Sequence, residues 1–137
     1  MNLSIVIPIQ GHFNQLLDLL GDLKGLTAEV VVVEADVVAG NSTSMQATAV
    51  DLREQCRLRV LERGGQWLSS PASRGAQVAL GCEQGRGAWL WVLHADTRID
   101  VPVLRYFQTV IAAGPIGWGR FDISFRETHQ RQPNLPQ

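Results

Sequence analysis

The polar residues that follow the apolar run 88–93 are the first candidates for chemistry. His94 and Asp96 come directly after this run. A carboxylate just past a buried strand has a fixed backbone and a side chain that faces solvent, so Asp96 could hold a divalent cation against a diphosphate. Magnesium keeps several waters when it binds and needs only one or two protein oxygens. Alternatively, Asp96 caps the following turn, and the spacing alone favours neither interpretation.

The segment 69–81 is the second candidate. Arg74 stands at the predicted start of a helix, where backbone amides and the positive end of the helix dipole suit a phosphate. Gln77 lies one turn further on, where its amide could reach the same ligand. The alternative is an ordinary capped helix with a surface arginine, which the segment by itself favours.

Other kinds of site are not indicated by the spacing. His12, His94 and His129 are too dispersed for a metal cluster. Cys56 and Cys82 form no Cys-x-x-Cys pair and have no neighbouring histidine, so they are predicted to be buried thiols in a reducing compartment. No glycine-rich motif follows a strand and opens a helix, which argues against a P-loop and a dinucleotide fingerprint.

Composition predicts one globular domain over residues 1–137. The chain is 45% hydrophobic and 18% charged, which is enough apolar material to offset chain entropy. A net charge of -1 and scattered arginines give no nucleic-acid footprint. The first apolar run, 3–9, is too short to span a bilayer and no secretion signal is recognised, so no membrane segment and a cytoplasmic location are expected.

Short β-branched runs alternate with segments of helical periodicity, a pattern typical of a mostly parallel sheet covered by helices. The sequence therefore predicts an α/β fold, a three-layer sandwich with its first four parallel strands in the order 3-2-1-4. Predicted strands are 3–9, 28–33, 58–60 (or alternatively around 67–68), 88–93 and 117–125. Predicted helices are 13–23, 44–55, 74–83 and a last one that ends at Gly114. Ser73 is the predicted cap of the third helix, and Asp100 is that of the fourth. An irregular tail is expected from about residue 127.

Ligands of an open parallel sheet bind beyond the carboxyl ends of its strands, where the connections diverge. Three loops end there, at 10–12, 34–43 and 94–100. We therefore expect His94 and Asp96 to lie near Pro8 and Glu34 at one edge of the sheet.

Five motifs occur in an order that resembles family-two glycosyltransferases. They are SIVIP at 4–8, EVVVVE at 29–34, SRGAQ at 73–77 followed by Gly81, LHADT at 93–97 and GRFD at 119–122. The likeness is greatest to a small bacterial group that carries Gly-Arg-x-x-Gln and His-Ala-Asp-Thr. The resemblance implies a GT-A fold, a nucleoside-diphosphate sugar as donor, a Mg or Mn ion and inversion at the anomeric carbon.

The resemblance also implies roles for the residues that end the first two strands. Pro8 matches the proline beside the nucleoside, and Glu34 stands where the family has an aspartate that contacts the base. The sequence departs from the family here, because Gly11 and His12 replace an Asn-Glu pair and the loop 34–43 replaces an Asp-Gly-Gly-Ser-Thr-Asp-Gly run. These differences from the family lie in segments that would contact the donor, so they bear on which donor is bound.

Later positions match the donor loop and the metal motif. Arg74 and Gln77 match donor-loop positions, although Ala79 replaces the usual asparagine. Asp96 matches the last carboxylate of the Asp-x-Asp metal motif, and His94 replaces the first. The resemblance therefore implies that these four residues bind the donor, with Asp96 as the metal ligand.

The family's catalytic base belongs to a Glu-Asp pair downstream of the GRFD motif, which this sequence does not reach, and Glu127 lacks an acidic partner. No catalytic residue is assigned, and we expect donor binding with little or no transfer by these residues alone. The alternatives are a non-catalytic nucleotide-sugar-binding or assembly module and a nucleotidyltransferase, which is disfavoured because 10–15 contains no arginine or lysine. A sheet without its second half would expose apolar surface, which favours a homo-oligomer.

Overall fold

A computed structural model describes residues 3–36 and 47–113. Strands and helices alternate along this part of the chain, as the sequence pattern predicts. The strands are β1 (Leu3–Ile9), β2 (Glu29–Ala35), β3 (Gln66–Ser70) and β4 (Trp89–Val92). The helices are α1 (Phe13–Asp22), α2 (Ala47–Glu62), α3 (Arg74–Gln84) and α4 (Val101–Ala112).

The four strands form one parallel sheet in the order β3-β2-β1-β4. Ile5 of β1 lies opposite Val30 of β2 on one side and Trp91 of β4 on the other. Every residue of β1 is buried, because this strand is central and covered on both faces. The predicted order 3-2-1-4 is therefore confirmed.

Helices cover both faces of the sheet, so the fold is an α/β sandwich. On one face, α1, α2 and α4 pack against the strands in a core that includes Ile5, Ile7, Leu16, Leu19, Val32, Val60, Trp91 and Phe107. On the other face, Leu80 and Cys82 of α3 pack against Val6, Val31 and Val33. The apolar residues of the central strands alternate between these two cores because side chains alternate across a strand.

The prediction of a strand at 58–60 is wrong, since these residues belong to α2. The helix continues past its predicted end at Gln55 to Glu62. Cys56 and Val60, four residues apart, are fully buried, whereas Leu58 between them is 47% exposed. Arginines alternate with apolar residues here, but the burial has the period of a helix and not of a strand.

The alternative third strand, around Trp67 and Leu68, is confirmed as part of β3. The chain reaches β3 through Gly64, whose φ of 80° favours glycine. Gly65 then passes so close to β2 that a Cβ atom there would stand 2.3 Å from the carbonyl oxygen of Val30. These two glycines end α2 and allow β3 to pair with β2.

Both predicted helix caps are confirmed. The Ser73 hydroxyl accepts a hydrogen bond from the backbone N–H of Ala76 at 3.3 Å, which caps α3. The Asp100 carboxylate accepts one from the backbone N–H of Val103 at 3.1 Å, which caps α4. Each bond satisfies an amide that the first turn of a helix leaves without a partner.

Glu29, at the start of β2, gathers hydrogen bonds at the amino edge of the sheet. Its carboxylate accepts from Ser4 Oγ (2.7 Å), Gln66 Nε2 (3.0 Å), and the backbone N–H (2.9 Å) and Nε (2.6 Å) of Arg86. Burial raises the pKa of this carboxyl, but the hydrogen bonds outweigh burial and lower the pKa to about 2. The Gly87 N–H donates in turn to Ser4 Oγ at 2.7 Å, so the cluster joins three strands and the turn before β4.

The two cysteines are free thiols. Cys56 of α2 is buried and donates its S–H to the carbonyl oxygen of Phe13 at 3.3 Å. Burial raises the pKa of this thiol to about 11, so it is protonated at neutral pH. Cys82 of α3 is only partly buried, so the prediction of buried thiols is confirmed for Cys56 and holds in part for Cys82.

Gly81 of α3 lies directly against the sheet. A Cβ atom at this position would stand 2.3 Å from Val6 Cγ1 and 3.1 Å from Val33 Cγ2. We therefore expect Gly81→Ala to destabilise the fold by about 1–3 kcal/mol, the usual cost of overpacking. The matched control is Gly75→Ala in the same helix, where the nearest atom is Ser73 Oγ at 3.9 Å and stability is expected to stay level or rise slightly. Equal urea midpoints for the two variants would contradict this packing.

Several predicted features lie outside the described residues. They are the strand at 117–125 with the GRFD motif, the tail from about 127, and most of the loop 34–43. Within 3–36 and 47–113, no helix has the length and apolar character needed to span a membrane.

Candidate functional site

The chain changes direction across the sheet between β1 and β4. After β1 it passes through α1 and α2 to β2 and β3, on one side of β1. It then returns through α3, on the opposite face, to β4 on the other side of β1. In open α/β sheets, ligands bind outside the carboxyl ends of the strands at such a switch point.

The register brings the ends of the neighbouring strands β2, β1 and β4 to one edge. Glu34 of β2 lies opposite Ile9, the last residue of β1. On the other side of β1, the backbone N–H of Leu93 donates to the carbonyl oxygen of Val6 at 2.9 Å, which extends the pairing of β4. His94 follows directly at the same edge. The ends of β1, β2 and β4 therefore lie at one edge of the sheet, whereas close approach of His94 and Asp96 to Pro8 and Glu34 stays a prediction.

Arg74 and His94 meet at this edge, although they are 20 residues apart in the chain. Nη1 of Arg74, the first residue of α3, contacts Nδ1 of His94 in the loop after β4. Both side chains are exposed. Neither forms an ion pair with a carboxylate of the described residues, so the pair presents nitrogen donors to solvent at the switch point.

Asp96 lies in the same tight turn as His94. The turn is closed by a hydrogen bond of 3.0 Å from the Thr97 N–H to the His94 carbonyl oxygen, and Asp96 is exposed. In residues 3–36 and 47–113, no group of three or more His, Cys, Asp or Glu side chains could hold a metal ion. One carboxylate nevertheless fits Mg²⁺ or Mn²⁺ held mainly by phosphate oxygens and water. A metal ligand role for Asp96 stays a prediction.

Gln77 is buried and bonded to the sheet. Its Nε2 donates to the carbonyl oxygens of Ile9 and Val33, both at 2.8 Å. These carbonyls belong to the ends of β1 and β2, so the amide joins the two strands at the candidate site. Because both hydrogens of Nε2 are used, only Oε1 of Gln77 is left to contact a ligand.

The Glu34 carboxylate is held by two side chains that the sequence did not identify as part of the site. Nε and Nη2 of Arg53 donate to its two oxygens at 2.7 and 2.8 Å, and Trp67 Nε1 donates at 3.1 Å. The guanidinium of Arg53 also lies 5.8 Å from the centre of the Trp67 ring, within the range of a cation–π contact. This bidentate pair raises the pKa of Arg53, although burial opposes it. The Glu34 carboxylate, for which the resemblance implies contact with a base, therefore already has two partners.

Pro8 is buried within β1, opposite Val33, one residue before the strand ends. Proline has no backbone N–H to donate to a sheet ladder, and Pro8 lies beyond Val6, the last residue of β1 that pairs with β4. Its predicted place beside a nucleoside is not tested by these contacts and stays a prediction.

The loop after β4 is anchored to α1 by an aspartate. Nε and Nη2 of Arg98 donate to the Asp22 carboxylate at 2.7 and 2.9 Å, and the Ile99 N–H donates to it at 2.9 Å. The Asp22 pair raises the pKa of Arg98. No local sequence signal joins Asp22 to residues that lie more than 70 positions away. This anchor fixes the far end of the loop that carries His94.

A shallow cleft between α1 and the end of α2 contains none of the predicted site residues. Its lining includes Lys24, Arg59, Glu62 and Arg63. The Arg63 guanidinium donates to the carbonyl oxygen of Leu26 at 2.8 Å, and burial lowers its pKa. Arg63 therefore stabilises the loop before β2, and the candidate site remains at the carboxyl edge.

In comparisons with protein-family models, curated proteins and solved structures, nothing matches this chain. The α/β sandwich with its four-stranded parallel sheet is observed directly. The GT-A type of fold and the relationship to glycosyltransferases stay predictions from the motifs.

Proposed function

We propose that this chain is the donor-binding part of a glycosyltransferase and binds a nucleoside-diphosphate sugar between the ends of β1 and β4. The observation that carries the proposal is the meeting of Arg74 and His94 at the switch point of a 3-2-1-4 sheet. Asp96 stands in the same turn as His94. Donors for phosphate oxygens and a carboxylate for a cation are thus available on one edge.

Each residue has a role in this proposal that follows from its contacts. Arg74 would donate N–H groups to the diphosphate, since a guanidinium suits phosphate oxygens. Asp96 would hold a Mg²⁺ or Mn²⁺ ion, whose positive charge would offset the negative charge on the departing nucleotide. Gln77 would join the ends of β1 and β2 at the site. An acceptor hydroxyl needs a general base, and no described residue is proposed for that role.

We expect nucleoside diphosphates to bind more tightly with Mn²⁺ or Mg²⁺ than with EDTA, and Asp96→Ala to abolish this gain. Loss of an indirect metal partner typically costs about 10–100-fold in metal affinity, so loss of a direct ligand should cost about tenfold or more. The measurement is calorimetric titration of UDP and GDP, each with metal and with EDTA. Asp96 is exposed, so the variant should unfold at the same temperature as the wild type.

The matched control is Glu83→Ala, an exposed acidic residue near the other end of α3. It should keep the full gain in affinity from metal. Equal affinities with and without metal in the wild type would rule out the metal role of Asp96. Unfolding of the Asp96 variant would instead support the interpretation that Asp96 stabilises its turn.

A further inference from the structure

The solvent side of α2 carries three exposed apolar side chains. Val50, Leu58 and Leu61 are 51%, 47% and 42% exposed. Residues three and four apart lie on the same side of a helix. Val50, Glu54, Arg57 and Leu61 follow each other at steps of four, three and four residues, so they form one stripe, with Leu58 beside it. One exposed apolar residue is ordinary, whereas several in line mark an interaction surface.

A salt bridge lies between the apolar ends of this stripe. Nε and Nη2 of Arg57 donate to the Glu54 carboxylate at 3.1 and 2.7 Å. The two side chains are 35% and 45% exposed, so each can contact a further charged group. The stripe therefore runs from an apolar residue through a negative and a positive charge to a second apolar residue.

This order of residues is complementary to itself when two helices run antiparallel. A two-fold axis makes each residue of one copy contact the same partner residue that its own copy contacts in return. An axis that crosses α2 between residues 55 and 56 places Val50 against the partner's Leu61 and Glu54 against the partner's Arg57. A parallel pair in register would instead place Glu54 against the partner's Glu54, where like charges repel.

We infer that α2 is a docking surface for a second copy of this chain, in an antiparallel pair of helices related by a two-fold axis. Val50, Leu58 and Leu61 supply its apolar contacts, and Glu54 and Arg57 set its direction and register. None of these residues belongs to the candidate donor site, so the inference is independent of the proposed function. Stable interfaces bury about 1,200–2,000 Å² in total, and a contact along one helix is smaller. The dimer is therefore expected to be weak.

The first test is sedimentation equilibrium of the whole chain at concentrations up to about 0.5 mM, which a weak interface requires. The wild type should dimerise reversibly. Glu54→Arg and Arg57→Glu should each weaken dimerisation about tenfold, since one exposed charge pair contributes little but the symmetry changes two of them. Leu61→Gln, which changes no charge, should weaken it by a similar factor. Arg105→Glu, a charge reversal at an exposed position of α4, is the matched control and should change nothing.

The second test mixes the Glu54→Arg and Arg57→Glu proteins. Each variant alone has two like charges on the stripe, but one copy of each restores both opposite-charge pairs across the two-fold axis. The mixture should therefore dimerise about as tightly as the wild type. Both helices keep their internal repulsion in the mixture, so this recovery can come only from contact between copies. Thermal unfolding of each variant checks that it is folded.

Three results would rule out this surface. The first is a wild type that stays monomeric at about 0.5 mM, where a contact of this size should be detectable. The second is a dimer that the charge variants and Leu61→Gln leave unchanged, which would favour another surface, such as exposed Leu90 and Val92 of β4. The third is a mixture that dimerises no better than its two components.

Discussion

Replacing Gln77 with leucine should destabilise the fold by about 1–3 kcal/mol, because it removes two hydrogen bonds to buried carbonyl groups. In the native protein, Gln77 Nε2 supplies both bonds, to Ile9 and Val33 at the ends of β1 and β2. Leucine has a similar size, so the loss of stability comes from the two lost hydrogen bonds and not from a cavity. Urea unfolding at neutral pH, with hydrogen exchange of the strand ends, measures the effect.

The matched control is Gln84→Leu, an exposed glutamine at the end of the same helix. This variant should keep nearly all of the wild-type stability, since only surface hydration changes. If Gln77→Leu is as stable as Gln84→Leu but binds nucleotide more weakly, the main role of Gln77 is to contact the ligand. Loss of stability without nucleotide present would show that its main role is to join the two strands.

Glu29→Gln should remove up to about 3 kcal/mol of stability at neutral pH, and the loss should disappear in acid. The pKa of this carboxyl is lowered from 4.5 to about 2 in the folded protein, and such a difference corresponds to about 3 kcal/mol. Because the folded-state pKa is the lower one, the stabilisation is fully present above pH 4.5 and is lost as the pH falls towards 2. The Arg86 side chain is 69% exposed, so salt screens part of the interaction and 3 kcal/mol is an upper value.

The measurement is urea unfolding of the wild type and the variant at several pH values between 7 and 2. The difference in unfolding free energy should be constant down to about pH 5 and should then narrow. Glu54→Gln is the matched control, since Glu54 pairs with Arg57 on the surface of α2, and its curve should follow the wild type. A difference for Glu29→Gln that stays constant to pH 2 would contradict the lowered pKa.

Much of the fold was determined by local pattern. β1 was predicted with its observed limits, Leu3–Ile9, because a continuous apolar run next to a helical stripe has few other solutions. Ser73 and Asp100 were identified as caps because capping depends on residues three positions away. The predicted strand order 3-2-1-4 agrees with the observed one, and it assumed the right-handed crossovers that parallel sheets prefer.

The wrong prediction of a strand at 58–60, within α2, comes from the limits of the same local patterns. A window of four residues, 57–60, fits either period, and local pattern cannot separate one turn of helix from a short strand. Contacts with distant parts of the fold favour the helix over the strand here, because Cys56 and Val60 are buried in the core shared with α1 and the sheet. Gly65 passes against Val30 of the neighbouring strand, a close approach that no local window contains.

The candidate site shows most clearly which features depend on the sequence alone and which depend on the tertiary structure. The sequence by itself determined that Glu34, His94 and Asp96 stand at the carboxyl ends of strands, because strand limits and parallel direction are enough to place them there. Only the tertiary structure decided which side chains meet: Arg53 with Glu34, Arg74 with His94, and Arg86 with Glu29, over separations of 19, 20 and 57 residues. These partners are chosen by the packing of helices on the sheet, whose geometry depends on the whole core, and local sequence carries no record of it.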